Sequence, residues 1–389
     1  MGREGDQPMI RTFLGAVALL AAVTAAPARQ ADATAPLLIE VFVGQRAGEG
    51  GYHTYRIPAA ILTPKGTLLA FAEGRRDSAG DAGNIDLVLR RSHDGGRTWT
   101  PMQVIGDNGT GFFGNPCAVV DSRTGAIWLL IIKKLGTDHE KDIIGGTSQG
   151  SSTVWAMRSE DDGASWSTPV EITASVKAPD WTWYATGPGV GIQTKRGRIV
   201  VPANHAEAKS GIHRSHLFFS DDGGQNWSLG ASSDAGTNES QVVELADGGL
   251  LLNMRNHPPK PENFRMIARS TDGGRTLSPA VPDRALVEPP AHASLVRFSS
   301  AGNQDRNRLI FANPASTARE RMTVRLSYDE GVTWAVSRVL YDGPSAYSSL
   351  VVLPDKSIGL LFERGDRSPY ERITLARFTL EWLTSGSDR

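Results

Sequence analysis

From about residue 37 onward, apolar and polar residues alternate in runs of about four to eight, each closed by a cluster of Gly, Asp, Asn, Ser or Pro. Ile85-Asp86-Leu87-Val88-Leu89-Arg90 is one such run, and Pro101-Met102-Gln103-Val104-Ile105 follows it. A period of two predicts strands with one face turned to a core, whereas the 3.6-residue period of an amphipathic helix is nearly absent. Runs 118–120 and 127–130 flank the turn 121–125. Runs 242–245 and 250–252 flank Asp247-Gly248-Gly249, and runs 350–352 and 358–360 flank Pro354-Asp355-Lys356. Each reads as strand, turn, strand.

One octapeptide recurs at the turns: Ser, any residue, Asp, any, Gly, any, a small polar residue, Trp. It reads SHDGGRTW from Ser92, SEDDGASW from Ser159, SDDGGQNW from Ser220 and SYDEGVTW from Ser327, with a degraded copy, STDGGRTL, from Ser270. Gly permits the positive backbone angles of a tight turn, Ser and Asp can satisfy turn amides, and Trp can plug the space beneath. A repeat of this length carries about four strands, one propeller blade. Five marked repeats, with Leu37–Val43 and one or two strands over 373–383 completing a sixth, predict an all-β, six-bladed β-propeller of four-stranded antiparallel blades. Mixing the two chain ends in one blade closes the ring and hides its edges.

The chain has 389 residues, with 41 basic against 42 acidic, and this balance predicts no broad positive field for nucleic acid. Its 42 glycines, 22 prolines and 9 tryptophans suit short strands and many turns. Cys117 is the single cysteine, read as a packed thiol. At the start, Arg11 precedes a mostly apolar run, 13–26, and small residues follow at Ala26-Pro27-Ala28 and Ala31-Asp32-Ala33. That is the pattern of an export signal, too short for a membrane span. Residues 1–33 are therefore expected to be a leader, with Met9 as an alternative start. Residues 34–389 are expected to form one domain, secreted or periplasmic, with no transmembrane span once the leader is removed.

A propeller gathers loops from every blade at one end of its axis, so a site should appear as single residues scattered along the chain. Tyr55-Arg56-Ile57-Pro58 precedes the first repeated turn. Phe71-Ala72-Glu73-Gly74-Arg75 is followed by Asp81, Asn238-Glu239-Ser240-Gln241 by Asn253-Met254-Arg255, and Asn313-Pro314 by Arg319. Gly343-Pro344-Ser345-Ala346-Tyr347-Ser348-Ser349 precedes the last hairpin. Over residues 37 to 383 these segments, with the octapeptide repeats, resemble the sialidase (neuraminidase) superfamily, closest to its bacterial exo-sialidases and the related animal lysosomal enzyme. The resemblance implies hydrolysis of terminal α-linked sialosides without a cofactor. Arg56, Arg255 and Arg319 match the triad that holds the substrate carboxylate, and Arg75 matches the residue near the sugar's O4 hydroxyl. Asp81 matches the general acid/base, Tyr347 the nucleophile, Glu239 its partner base, and Glu363 the acid that steadies the first triad arginine. Arg321 and Arg325 lie close enough in sequence to compete with Arg319.

The chemistry accounts for these residue types. A planar guanidinium binds a carboxylate through two parallel hydrogen bonds and stays charged at any relevant pH. Sialic acid carries its carboxylate on the anomeric carbon, so an anionic nucleophile would be repelled there and a neutral phenol with a partner base avoids the repulsion. Taken singly, an arginine is a surface salt-bridge residue, a tyrosine is core or rim, and an Asp in a Gly-rich loop caps a turn. Their joint order carries the assignment. A non-catalytic glycan- or protein-binding propeller, a trans-sialidase, and an enzyme for a related nonulosonic acid are the other functions compatible with the pattern. His205, His213 and His216 lack the spacing of a common zinc site, and no metal is expected. Trp181, Trp183 and Tyr184 form an aromatic group suited equally to core packing and to a sugar-facing wall.

Overall fold

The computed structural model describes Met1 and residues 35–388, apart from 45–49, 258–261 and 303–304. The expected leader, beyond Met1 itself, lies outside the described residues. Thr34–Arg389 forms one compact unit. Its described residues are all-β, with 25 strands in four sheets and three short helices. A nine-stranded sheet runs from Thr54–Leu62 to Val170–Glu171 and takes in Gly189–Val190. A five-stranded sheet covers Trp181–Thr186 to Ser228–Ser232, and a four-stranded sheet covers Thr237–Glu244 to Val281–Val287. A seven-stranded sheet covers Ser294–Ser299 to Arg372–Phe378, with Leu37–Val43 added at its edge.

That edge addition joins the two ends of the unit, since Leu37–Val43 pairs antiparallel with Arg372–Phe378. Of the one or two strands expected over 373–383, one forms, Arg372–Phe378, and a short helix, Leu380–Thr384, follows it. Thr379 caps it by accepting from the Trp382 N–H, while Leu380, Trp382 and Leu383 turn into the core. A short apolar run does not distinguish strand from buried helix, and here the cap decides it.

All five octapeptides, the degraded copy included, make the same turn. In the first, Ser92 Oγ accepts from the Gly96 N–H at 2.8 Å, and Asp94 Oδ1 accepts from the Thr98 N–H at 2.9 Å. Equivalent bonds join Ser159 to Gly163, Ser220 to Gly224, Ser270 to Gly274 and Ser327 to Gly331. The turn packs between sheets: Trp227 meets Trp128 edge-on at 6.0 Å, and Trp128 Nε1 donates to the Gly223 carbonyl at 2.8 Å. The repeated carboxylates are thus consumed as scaffold.

One irregularity recurs at one end of the sheets. The register slips between Arg56 and Ala59, Gly114 and Cys117, Trp181 and Tyr184, Thr237 and Ser240, and Ser345 and Ser348. A bulge re-aims the side chains within it. Arg56, Asn115, Trp183, Glu239 and Tyr347 all lie at or inside these slips, and all line one cavity.

Candidate active site

The cavity, of about 380 Å³, opens where the bulges converge. At its floor Tyr347, 5% exposed, directs its hydroxyl at Glu239, with Oη 2.5 Å from Oε1 and 2.7 Å from Oε2. Arg255 Nη1 donates to Glu239 Oε2 at 2.9 Å and to Tyr347 Oη at 3.2 Å. The guanidinium carbons of Arg56 and Arg319 lie 5.1 and 5.4 Å from the centre of the Tyr347 ring. Three guanidinium groups, from residues at least 64 positions apart in sequence, therefore surround one phenol.

Burial and the Glu239 charge push the Tyr347 hydroxyl far above its ordinary pKa, although all three arginines oppose them. Burial acts on Glu239 in the upward sense too, but Arg255, His292 and the Tyr347 hydroxyl hold its carboxyl below the usual range. The shared proton therefore resides on the phenol, and the carboxylate is poised to receive it.

Glu363 organises this floor from beneath. It is fully buried and accepts four hydrogen bonds: Arg56 Nε at 3.0 Å, Arg56 Nη2 at 3.2 Å, the Ile57 N–H at 2.9 Å and the Tyr347 N–H at 3.1 Å. Ile57 has a φ of 59°, unfavourable for a β-branched residue, and Pro58 has no N–H for the ladder. The carboxylate stabilises the resulting bulge by taking the Ile57 N–H. The Tyr-Arg-Ile-Pro segment thus breaks the strand so that Arg56 turns into the cavity.

At the rim Asp81 has a side chain 74% exposed, and its Oδ1 pairs with Arg75 Nη1 at 2.7 Å and Arg56 Nη1 at 3.5 Å. Burial of its carboxyl group works upward, yet Arg75 and Arg56 hold it below the usual range. Arg75 is itself fixed by Glu73 and by the Ala79 carbonyl.

A BNR repeat-like domain model matches residues 66–361. The sialidase of Micromonospora viridifaciens is 35% identical over 96% of the chain, and the exo-alpha-sialidase of Aspergillus fumigatus is 33% identical over 86% of both proteins. Hadza microbial sialidase Hz136 superposes with a TM-score of 0.78 at 30% identity, over 88% of this chain and 69% of that one. The chain belongs to the sialidase superfamily of glycoside hydrolases. It spans 60% of the length of the Micromonospora protein.

Of Arg319, Arg321 and Arg325, Arg319 is the one that lines the cavity. Arg319 Nη1 donates to Tyr370 Oη at 2.5 Å and Nη2 to the Pro290 carbonyl at 2.8 Å, which holds it over the cavity. Arg321 points outward to Asp342, and Arg325 is buried against Asn313. The aromatic group divides its labour: Trp183 lines the cavity, Trp181 stacks on His205 at 3.4 Å, and Tyr184 is core. The three histidines do not converge. His205 faces His216, whereas His213 lies against His257.

Sequence reasoning missed Tyr370, Glu140 and His257. Tyr370 lies under Arg56, ring centre to guanidinium 4.2 Å, as well as bonding Arg319. Glu140, in the first turn of helix Glu140–Gly145, lines the side of the cavity with His257. Partial enclosure by the cavity walls, opposed by Arg255 and reinforced by Glu239 and Asp81, pushes its carboxyl up to about 7, although the side chain stays 45% exposed. An apolar or polar period carries no trace of residues that enter from a short helix or a loop. Only the aromatic Tyr370 in a polar loop offered a signal.

Proposed function

We propose that the chain is an exo-α-sialidase that removes terminal α-linked sialic acid from glycoconjugates with retention, using Tyr347 as nucleophile. The observation that carries this reading is the Tyr347–Glu239 hydrogen bond inside a ring of three guanidinium groups. Arg56, Arg255 and Arg319 would hold the substrate carboxylate. An anionic nucleophile about 4 Å from that carboxylate would meet about 4 kcal/mol of repulsion at an effective dielectric of 20. A phenol enters neutral and passes its proton to Glu239 only as it attacks the anomeric carbon.

Asp81 would protonate the departing glycosidic oxygen. Its pairs with Arg75 and Arg56 hold its carboxyl below the usual range. A bound substrate carboxylate would compete for Arg56 and cover Asp81 from water, and both changes raise its pKa. In the second half-reaction Asp81 would take a proton from water as that water attacks the tyrosyl-sugar bond, and Glu239 would return the proton to the phenol. Two inversions give net retention. Arg75 would contact the sugar near O4 and keep Asp81 aimed at the leaving group.

The strand pairings support a six-bladed propeller as the frame. Val336–Val352 pairs with Glu320–Ser327 along its first half and with Ile358–Arg364 along its second. The seven-stranded sheet therefore divides there into two groups of four. The nine-stranded sheet likewise divides between Gln103–Gly106 and Phe112–Val120, which leaves six groups in all. The apolar start of the chain supports export, and no helix of the described residues is long and apolar enough to cross a membrane.

Proton NMR during early turnover of a sialoside tests the assignment. The α-anomer of free sialic acid is expected first. Initial release of the β-anomer would refute retention, and binding of the glycan without any release would leave a lectin-like propeller.

A further inference from the structure

Residues 288–292, Glu-Pro-Pro-Ala-His, cross from the four-stranded sheet to the seven-stranded one and contribute nothing to the lining of the catalytic cavity. Yet they touch the elements that carry three of its residues. The Pro290 carbonyl accepts from Arg319 Nη2 at 2.8 Å. The Ala291 carbonyl accepts from Arg265 Nη1 at 2.9 Å, and the same nitrogen donates to Glu288 Oε2 at 2.6 Å. Glu288 Oε1 accepts the N–H of Asn256, the residue after Arg255, at 2.8 Å. Arg265 and Glu288 are both buried.

His292 completes the set. It is buried, and its ring lies 5.7 Å from that of Tyr347, centre to centre, tilted by 40°. The ring hydrogen-bonds the backbone of Ser348, the residue after Tyr347, in the sense that favours its protonated form, so the ring donates and the Ser348 carbonyl accepts. Nε2 has no partner among the described residues, which leaves Nδ1 as the donor. Gly189 makes room for the ring, since a Cβ there would lie 3.2 Å from Cε1. The anchor matters because the strand register slips between Ser345 and Ser348, so regular pairing does not fix the backbone at Tyr347. Glu363 holds the Tyr347 N–H on one side, and His292 holds the Ser348 carbonyl on the other.

We infer that residues 288–292 set the spacing between the carboxylate-binding arginines and the nucleophile, with His292 as the positioning residue for Tyr347. The inference rests on the sialidase reading above. A nucleophile displaced by about 1 Å loses on the order of a hundredfold in rate, whereas the arginines, held through the Pro290 and Ala291 carbonyls and Glu288, keep their places when His292 is replaced.

The test exploits the two ring nitrogens. Asn places its amide nitrogen where Nδ1 stands, and Gln places it where Nε2 stands. In His292→Gln and His292→Ala, kcat/KM for an aryl sialoside is expected to fall about 30-fold, and in His292→Asn to stay within threefold of wild type. The inhibition constant of free sialic acid, which reads the arginines without the nucleophile, stays within twofold in all three and also reports an intact fold. An Asn variant as impaired as Gln, a Gln variant as active as wild type, or an inhibition constant that rises in step with the lost turnover would overturn the positioning role. Wild-type protein that releases nothing from the sialoside would instead overturn the sialidase reading, and this inference with it.

Discussion

Replacing Glu363 by Gln changes no volume, but it removes a charge and turns two acceptor positions into a donor. Oε1 receives Arg56 Nε and the Ile57 N–H, and Oε2 receives Arg56 Nη2 and the Tyr347 N–H. Whichever way the amide is oriented, its NH₂ faces two donors. Removing one partner of a buried ion pair costs about 3–5 kcal/mol. The amide oxygen that remains still accepts two bonds worth about 1 kcal/mol each, which places the expected loss near the lower end, at about 3 kcal/mol. A domain with about 5–15 kcal/mol in hand still folds. Because Arg56 and the Tyr347 backbone both lose their brace, about 2–3 kcal/mol of transition-state stabilisation should go too. At 1.36 kcal/mol per decade that is about 30- to 150-fold in kcat/KM. Urea titration with an unchanged m-value gives the first quantity and aryl sialoside turnover gives the second. A variant within 1 kcal/mol and threefold of wild type would refute the claim that this carboxylate organises the floor.

Three further outcomes are expected. Asp81→Asn should reduce kcat/KM for a natural sialoside by at least two orders of magnitude more than for an activated aryl sialoside, because only the former needs an acid; equal losses would remove that role. Arg255→Lys keeps the charge but loses the planar guanidinium whose Nη1 reaches both Glu239 and Tyr347, so KM should rise and kcat fall by about tenfold or more, and unchanged steady-state kinetics would place Arg255 outside the site. Glu140 is neutral below about pH 7 and anionic above it, where it would face an anionic substrate. KM should therefore climb as pH rises through 7 in wild type and stay flat in Glu140→Gln, and a parallel climb in both would assign the effect elsewhere.

The repeated turns were legible in the sequence because their chemistry is local. Ser, Asp and Gly at fixed offsets satisfy amides within a few residues, and the degraded copy from Ser270 keeps these atoms while losing only its Trp. The bulges were not legible as bulges, since a register slip is decided by the neighbouring strand. Their trace was nonetheless present in Ile57-Pro58 and Asn115-Pro116, where a proline leaves the ladder without a donor. The resemblance supplied Arg56, Arg75, Asp81, Glu239, Arg255, Arg319, Tyr347 and Glu363, and these side chains meet around one cavity or brace it. Glu140 enters from a short helix and Tyr370 from a loop, neither with a strand period, and only the aromatic Tyr370 in a polar stretch hinted at its place. Whether the run after Phe378 adds a second strand stays open in the sequence because six residues do not separate the two periods, and the Thr379 cap makes it a helix.

The most direct test of the nucleophile is to trap the intermediate. An activated sialoside bearing fluorine beside the anomeric carbon slows the second half-reaction, and peptide mapping by mass spectrometry then locates the sugar. The adduct is expected on Tyr347 and absent from Tyr347→Phe. An adduct on Asp81 or Glu239, or an unmodified Tyr347 in enzyme that the reagent has inactivated, would contradict the account.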